Sequence, residues 1–225
     1  MDPDMSVGRS LVVAVDGPGG SGKSTVSRAL GLRLGVPHLD TGSFYRAATL
    51  AALRSGIPLD DEEGVAAELD RHAFEPSGGR IHLDGEVVSA EVRGPEVTAA
   101  VSVVSAHPEV RRRLVGLQRE WVASRGGTAV VEGRDIGAVV FPGATVKVYL
   151  TARPEVRARR RAEETSADAG RVAEELNRRD RLDSSRAVSP LAVAEDAVVI
   201  DTSDLGVDEV VERIVELVRA SSSWR

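Results

Sequence analysis

LVVAVDGPGGSGKST (Leu11–Thr25) is the stretch on which the fold turns. Its first five residues are apolar without interruption and mostly β-branched, the composition of a strand covered on both faces. Gly17-Pro18-Gly19-Gly20-Ser21-Gly22-Lys23-Ser24 then fits the spacing G-x-x-x-x-G-K-[ST]. Each residue type has a reason. Glycines carry no side chain, so successive backbone N–H groups can turn inward and form a nest for anions. A helix starting near Lys23 points its positive end at the same place. Lys23 supplies a compact charge for the β- and γ-phosphates, Ser24 a hydroxyl for Mg²⁺, and Thr25 lies where a hydroxyl meets the α-phosphate. A strand, a glycine loop and a helix in that order imply a nucleoside triphosphate site.

The alternation continues outward. TAVVEG (128–133), VKVYLTA (146–152) and AVVIDT (197–202) read as further buried strands, with VPHLD (36–40) a weaker fifth. Helical periodicity predicts helices over 23–34, 43–54, 96–124, 154–165, 171–182 and 207–219. Strand and helix in turn predict an α/β domain with right-handed crossovers. Two stretches break the pattern. Residues 60–97 are polar and hold Asp84-Gly85 between alternating arms, a two-residue hairpin signal, so a small antiparallel insert is expected. Residues 153–186 carry ten Arg and eight acidic residues, and so dense a charge predicts a solvated excursion.

Composition narrows the classes. The chain has 225 residues, 42% of them hydrophobic and 3% aromatic, and a formal net charge of −6. An acidic chain with so few rings is a poor nucleic-acid binder, because phosphate contacts need basic surface and bases need rings to stack on. Cysteine is absent, which removes disulfides, thiolate metal sites and a thiol nucleophile. Residues 1–10 have no apolar stretch, and the longest apolar runs are about five residues, so neither a secretory signal nor a membrane span is expected and the chain reads as cytoplasmic. Only Lys23 and Lys147 are lysines among 29 basic residues, an imbalance for which coding bias suffices on the surface. The four histidines (His38, His72, His82, His107) show no ligand spacing and read as structural.

A phosphate-cradling loop alone is compatible with a switch, a motor or a kinase. A guanine reader of the NKxD type is missing, and the Arg-dense segment suits anions better than it suits a switch. Four segments then resemble, in order, bacterial cytidylate kinases: VDGPGGSGKST, LDTGSFYRAATLAAL, VVEGRDIGAVVFPGA and LDSSRAVSPLAVAEDAVVIDTS. The resemblance implies a P-loop nucleotide-kinase fold in three layers, with a five-stranded parallel sheet. Its core would comprise 10–59, 98–152 and 187–220, with a monophosphate-binding insert at 60–97, a lid at 153–186, and tails at 1–9 and 221–225. It also implies a monomer that transfers the γ-phosphoryl group of ATP to CMP or dCMP with Mg²⁺. Carried over residue by residue, Thr41 and Arg46 hold the acceptor phosphate, Ser102, Arg111 and Asp135 read cytosine, and Arg134, Arg179, Asp183 and Arg186 bind phosphate and sugar. Glu132, often Asp in relatives, joins Ser24 at the metal, and either Arg160 or Arg161 reaches the transferring phosphate. Kinases for UMP, AMP or a shikimate-like metabolite, and a regulatory nucleotide binder, are the alternatives.

Overall fold

The computed structural model describes residues 10–165, 168–184, 186 and 191–221. The expected tails, Ser221 apart, and most of the SRAVSPL motif lie outside the described residues. Five strands, β1 (Val12–Asp16), β2 (His38–Asp40), β6 (Ala129–Glu132), β7 (Val146–Thr151) and β8 (Val198–Asp201), form one parallel sheet in the order β2-β6-β1-β7-β8. Helices α1 (Lys23–Leu34), α2 (Thr41–Arg54), α5 (Pro108–Ala123) and α8 (Val207–Ala220) cover it. β1 lies at the centre and alternates between two cores. Ala14 packs with Leu39, Phe44, Leu114 and Val131 on one face, and Val13 and Val15 pack with Leu30, Val148 and Ile214 on the other. Burial on both faces is why its sequence is apolar throughout.

The insert holds α3 (Glu62–Leu69) and an antiparallel sheet of β3 (Phe74–Ser77), β4 (Arg80–Leu83) and β5 (Glu86–Val87). Asp84 (φ 52°) and Gly85 (φ 81°) make the predicted turn between β4 and β5, both in the left-handed region that such a turn requires. Ile81, Leu83, Val88 and Val92 pack on Ala47, Leu50 and Ala51 of α2, so the insert has its own small core.

Three expectations need correction. The helix read over 96–124 is two, α4 (Pro95–Val104) and α5, because Pro108 lacks an N–H and drives His107 to an extended conformation (ψ 119°). β8 is an edge strand, with Ile200 buried but Val198 and Val199 exposed, so it is not a fully buried strand. The Arg-dense segment is not merely solvated: α6 (Pro154–Thr165) and α7 (Ala169–Ser184) pack together, with Val156, Arg157, Ala158, Val172 and Leu176 buried. No helix among the described residues is long and apolar enough to cross a membrane.

The strand-to-loop junction permits no side chain. Gly17 has φ 145°, and a Cβ there would lie 2.0 Å from the Leu150 carbonyl oxygen of β7. Gly17→Ala should therefore lower stability by about 4 kcal/mol or more, read as a fall in Tm of roughly 10 °C on thermal unfolding.

Candidate active site

The loop of residues 17–22 joins the carboxyl end of β1 to α1, at the crevice where parallel sheets collect ligands. Helix α1 begins at Gly22 (φ 89°) with no side-chain cap and no acidic residue in its first turn. Its first N–H groups are left for a ligand. Lys23 Nζ donates to the Pro18 carbonyl (2.7 Å), arching under the loop, and Ser21 Oγ donates to the same oxygen (3.0 Å). Burial, with Arg134 beside it, pushes the Lys23 ammonium down to about 7. Thr25 is exposed on the first turn of α1 and makes no hydrogen bond with the other site residues.

Asp16, the last residue of β1, is buried, and its two carboxylate oxygens accept from the Ile136 and Gly137 amides (2.8 Å each). Burial pushes it up to about 6 against these two bonds. It fastens the end of β1 to the turn that follows Arg134 and Asp135. Glu132, at the end of β6, accepts from Ser24 Oγ at Oε2 (2.8 Å) and meets His38 Nε2 at Oε1 (3.0 Å). His38, read from the sequence as structural, therefore touches a carboxylate of the candidate site. Thr41 Oγ1 donates to the Glu132 carbonyl (2.7 Å), so its hydrogen faces the protein. Gly133 is confined by the same packing, since a Cβ would lie 2.7 Å from Thr41 Oγ1. A hydroxyl and a carboxylate in contact are hard oxygen donors, which fit Mg²⁺. No group of three or more His, Asp or Glu residues able to hold a metal occurs among the described residues, so phosphate and water would complete the shell.

On the other side of β6, arginines converge on acids. Arg111 of α5 is buried and donates to Asp135 (2.5 Å) and to the Ser105 carbonyl (3.2 Å), with its guanidinium 5.2 Å from the centre of the Tyr45 ring. Asp183 of α7 accepts from Arg134 Nε (3.0 Å) and from Arg186. Arg134 also donates to the Gly17 carbonyl, and Arg186 to Ser105 Oγ (2.8 Å). Ser102 is buried one turn before Ser105, which donates to the Ser102 carbonyl (3.3 Å); Ser102 makes no direct bond with Arg111 or Asp135. Arg46 is anchored by Nη1 to the Val92 carbonyl and to Thr98 Oγ1 (3.0 Å each), so it is no loose surface residue. Burial and the nearby Arg179 push it down to about 10, still cationic at neutral pH. The Nε atoms of Arg111, Arg179 and Arg186 are buried with no hydrogen-bond partner. Buried donors without acceptors are rare, and three in one cleft are suited to a polar ligand.

Helices α6 and α7 meet the loop as well. Arg157 donates to Asp180 and to the Gly19 carbonyl (3.1 Å), and Asp180 accepts from the Gly19 amide (3.3 Å). Arg160 donates to Thr202 Oγ1 (2.9 Å) and to the Thr202 carbonyl (2.7 Å). Arg161 pairs with Glu164 (2.9 Å) and lies close enough to Arg46 and Arg179 to help depress both. Asp16, His38, Ser105, Arg157 and Asp180 are the neighbours that sequence reasoning missed. Asp180 alone carried a hint, three residues before Asp183 and so on the same helix face.

The family model for cytidylate kinase matches residues 13–220. This chain belongs to the cytidylate kinase family. A cytidylate kinase of Mycobacterium avium (strain 104) is 54% identical over 221 residues, covering 94% of this chain and 96% of that one. One of Rhodococcus opacus (strain B4) is 50% identical over 222 residues, covering 95% and 96%. Among solved structures, a gluconokinase from Sinorhizobium meliloti 1021 shares the fold, with a TM-score of 0.51, 17% identity, and 94% and 93% of the two chains covered. The P-loop kinase fold expected from the family thus carries the cleft described above.

The depressed Lys23 has a measurable consequence. With its pKa lowered to about 7, Lys23 is only partly protonated at pH 7 in the free protein, and a triphosphate bound against it would draw it back to the ammonium. Nucleotide binding should take up protons, increasingly as pH rises from about 6 to 8, while affinity for ATP falls over the same window. Calorimetry in buffers of unlike ionisation enthalpy should show this uptake in the wild type, and Lys23→Arg should lack it.

Proposed function

We propose that this protein transfers the γ-phosphoryl group of ATP to CMP or dCMP. The observation that carries the reading is the buried Arg111–Asp135 pair beside unpartnered arginine donors, opposite an uncapped phosphate loop. The loop residues Gly17 to Gly22 with Lys23, Ser24 and Thr25 take the triphosphate. Arg46, Arg134, Arg179 and Arg186 take the acceptor phosphate and sugar, with Asp183 holding Arg134 and Arg186 in place, and Thr41 would join them by turning its hydroxyl hydrogen from the Glu132 carbonyl to the phosphate. Asp135 accepts from the cytosine amino group, and Arg111 with Ser102 donates to the ring oxygen and nitrogen. Uracil presents an oxygen where Asp135 needs a donor, and that mismatch leaves a buried carboxylate facing an acceptor. Residues 60–97 would close over the monophosphate and residues 153–186 over ATP.

No general base is needed, because the acceptor is already a phosphate oxygen with a second pKa of about 6. The barrier is one of charge: two polyanions must meet in line. Ser24 and Glu132 would hold Mg²⁺, which when bound would neutralise phosphate charge. Lys23 and the converging arginines hold the two phosphates together and match the charge spread over the transferring group. Of the two candidate lid arginines we assign this part to Arg161, whose charge lies close enough to Arg46 and Arg179 to act on both.

Release of ADP from Mg-ATP, measured over a panel of acceptors, tests the reading. CMP and dCMP should turn over fast, UMP slowly, and shikimate not at all; acceptor-independent turnover would point to a regulatory nucleotide binder. Arg161→Ala should lower kcat about 100-fold or more with little change in the KM for CMP, and Arg160→Ala should lower it far less.

A further inference from the structure

We infer that His38 is a positioning residue for the Glu132 carboxylate and, through it, for the divalent cation that accompanies the nucleotide. The inference rests on reading Ser24 and Glu132 as the cation's partners in the protein. β2 and β6 pair in parallel with His38 opposite Val130 and Asp40 opposite Glu132. His38 and Glu132 are therefore diagonal neighbours on one face, within reach of long side chains. Both are enclosed, with side-chain exposures of 11% and 4%. An ionised carboxylate only accepts, so Nε2 of His38 is the donor in their 3.0 Å contact.

The two carboxylate oxygens are divided between two partners, Ser24 at Oε2 and His38 at Oε1. A cation arriving beside Ser24 competes for that hydroxyl. The His38 bond lies on the other oxygen and is left intact. Glu carries one more rotatable bond than Asp, and each free rotor is entropy to be lost when the carboxylate is fixed. His38 removes that freedom before the metal arrives. Partners of this kind, one step removed from a metal, commonly change its affinity about 10- to 100-fold when lost.

The test is a binding ratio, free of turnover: the Kd of a nonhydrolysable ATP analogue by calorimetry in EDTA, divided by its Kd in excess Mg²⁺. His38→Leu should lower this ratio about 10-fold or more while leaving the Kd in EDTA within about twofold of wild type. His38→Gln, whose amide can donate near the position of Nε2, should restore most of it. If His38→Leu does not fold, His38→Asn, too short to reach Oε1, takes its place. Glu132→Gln is the control for the underlying reading. If Glu132→Gln leaves the ratio unchanged, the metal-side reading of Glu132 fails and the inference with it. If it lowers the ratio and the His38 variants do not, the His38 inference alone is overturned. Equal weakening in EDTA and in Mg²⁺ would also overturn it, by making His38 merely structural.

Discussion

Cations do not gather in a half-buried cleft unless something holds them there. Two guanidinium groups about 6 Å apart repel by roughly 3 kcal/mol at an effective dielectric constant of 20, and this cleft collects Arg46, Arg111, Arg134, Arg179 and Arg186 together with Lys23. The structure meets the problem with carboxylates, two of them buried, placed among the arginines. Asp135 holds Arg111, Asp183 holds both Arg134 and Arg186, and Asp180 holds Arg157. The acids do not exhaust the donors, since three guanidinium Nε atoms stay unpaired. The remaining charge and hydrogen-bonding capacity are what two nucleotides would supply. The protein is thus assembled around a local deficit of negative charge that two nucleotides would fill.

The backbone makes the donor and acceptor halves of this arrangement one unit. Asp16 ends the central strand and accepts from the amides of residues 136 and 137, while Arg134 reaches back to the carbonyl of Gly17. The loop that would cradle ATP and the turn that presents Arg134 and Asp135 are therefore bound to each other twice. α7 adds a third link, because Asp180 touches the Gly19 amide and Asp183, one turn later, touches Arg134 and Arg186. Displacement of either half strains bonds to the other.

Much of this was legible in the chain because much of it is local. The strand, loop and first helix fall where the sequence places them, α1 at residues 23–34, since apolar run, glycines and Lys23 are contiguous. The Asp84-Gly85 turn was legible for the same reason. The break at Pro108 was written in the sequence and was overridden by a long helical period. What could not be read is register and order between distant strands. His38 and Glu132 are 94 residues apart, and only the pairing of β2 with β6 brings them together. Exposure of Val198 and Val199 follows from the edge position of β8, which composition does not encode. Arg157 looked like its solvated neighbours, yet its helix faces the phosphate loop and buries it.

The scarcity of lysine takes on a physical meaning inside the cleft. Burial beside other cations moves Lys23 to about 7, so at neutral pH its charge would respond to an anion placed against it. The same pressures on Arg46 move it only to about 10, and it stays charged. A cluster built from several lysines would shed protons as it assembled, and the attraction for phosphate would fall with each one lost. Arginine starts higher and can be crowded without neutralising. The one position where a compact, adjustable charge is wanted, under the phosphate loop, is lysine, and the positions that must stay cationic in company are arginine.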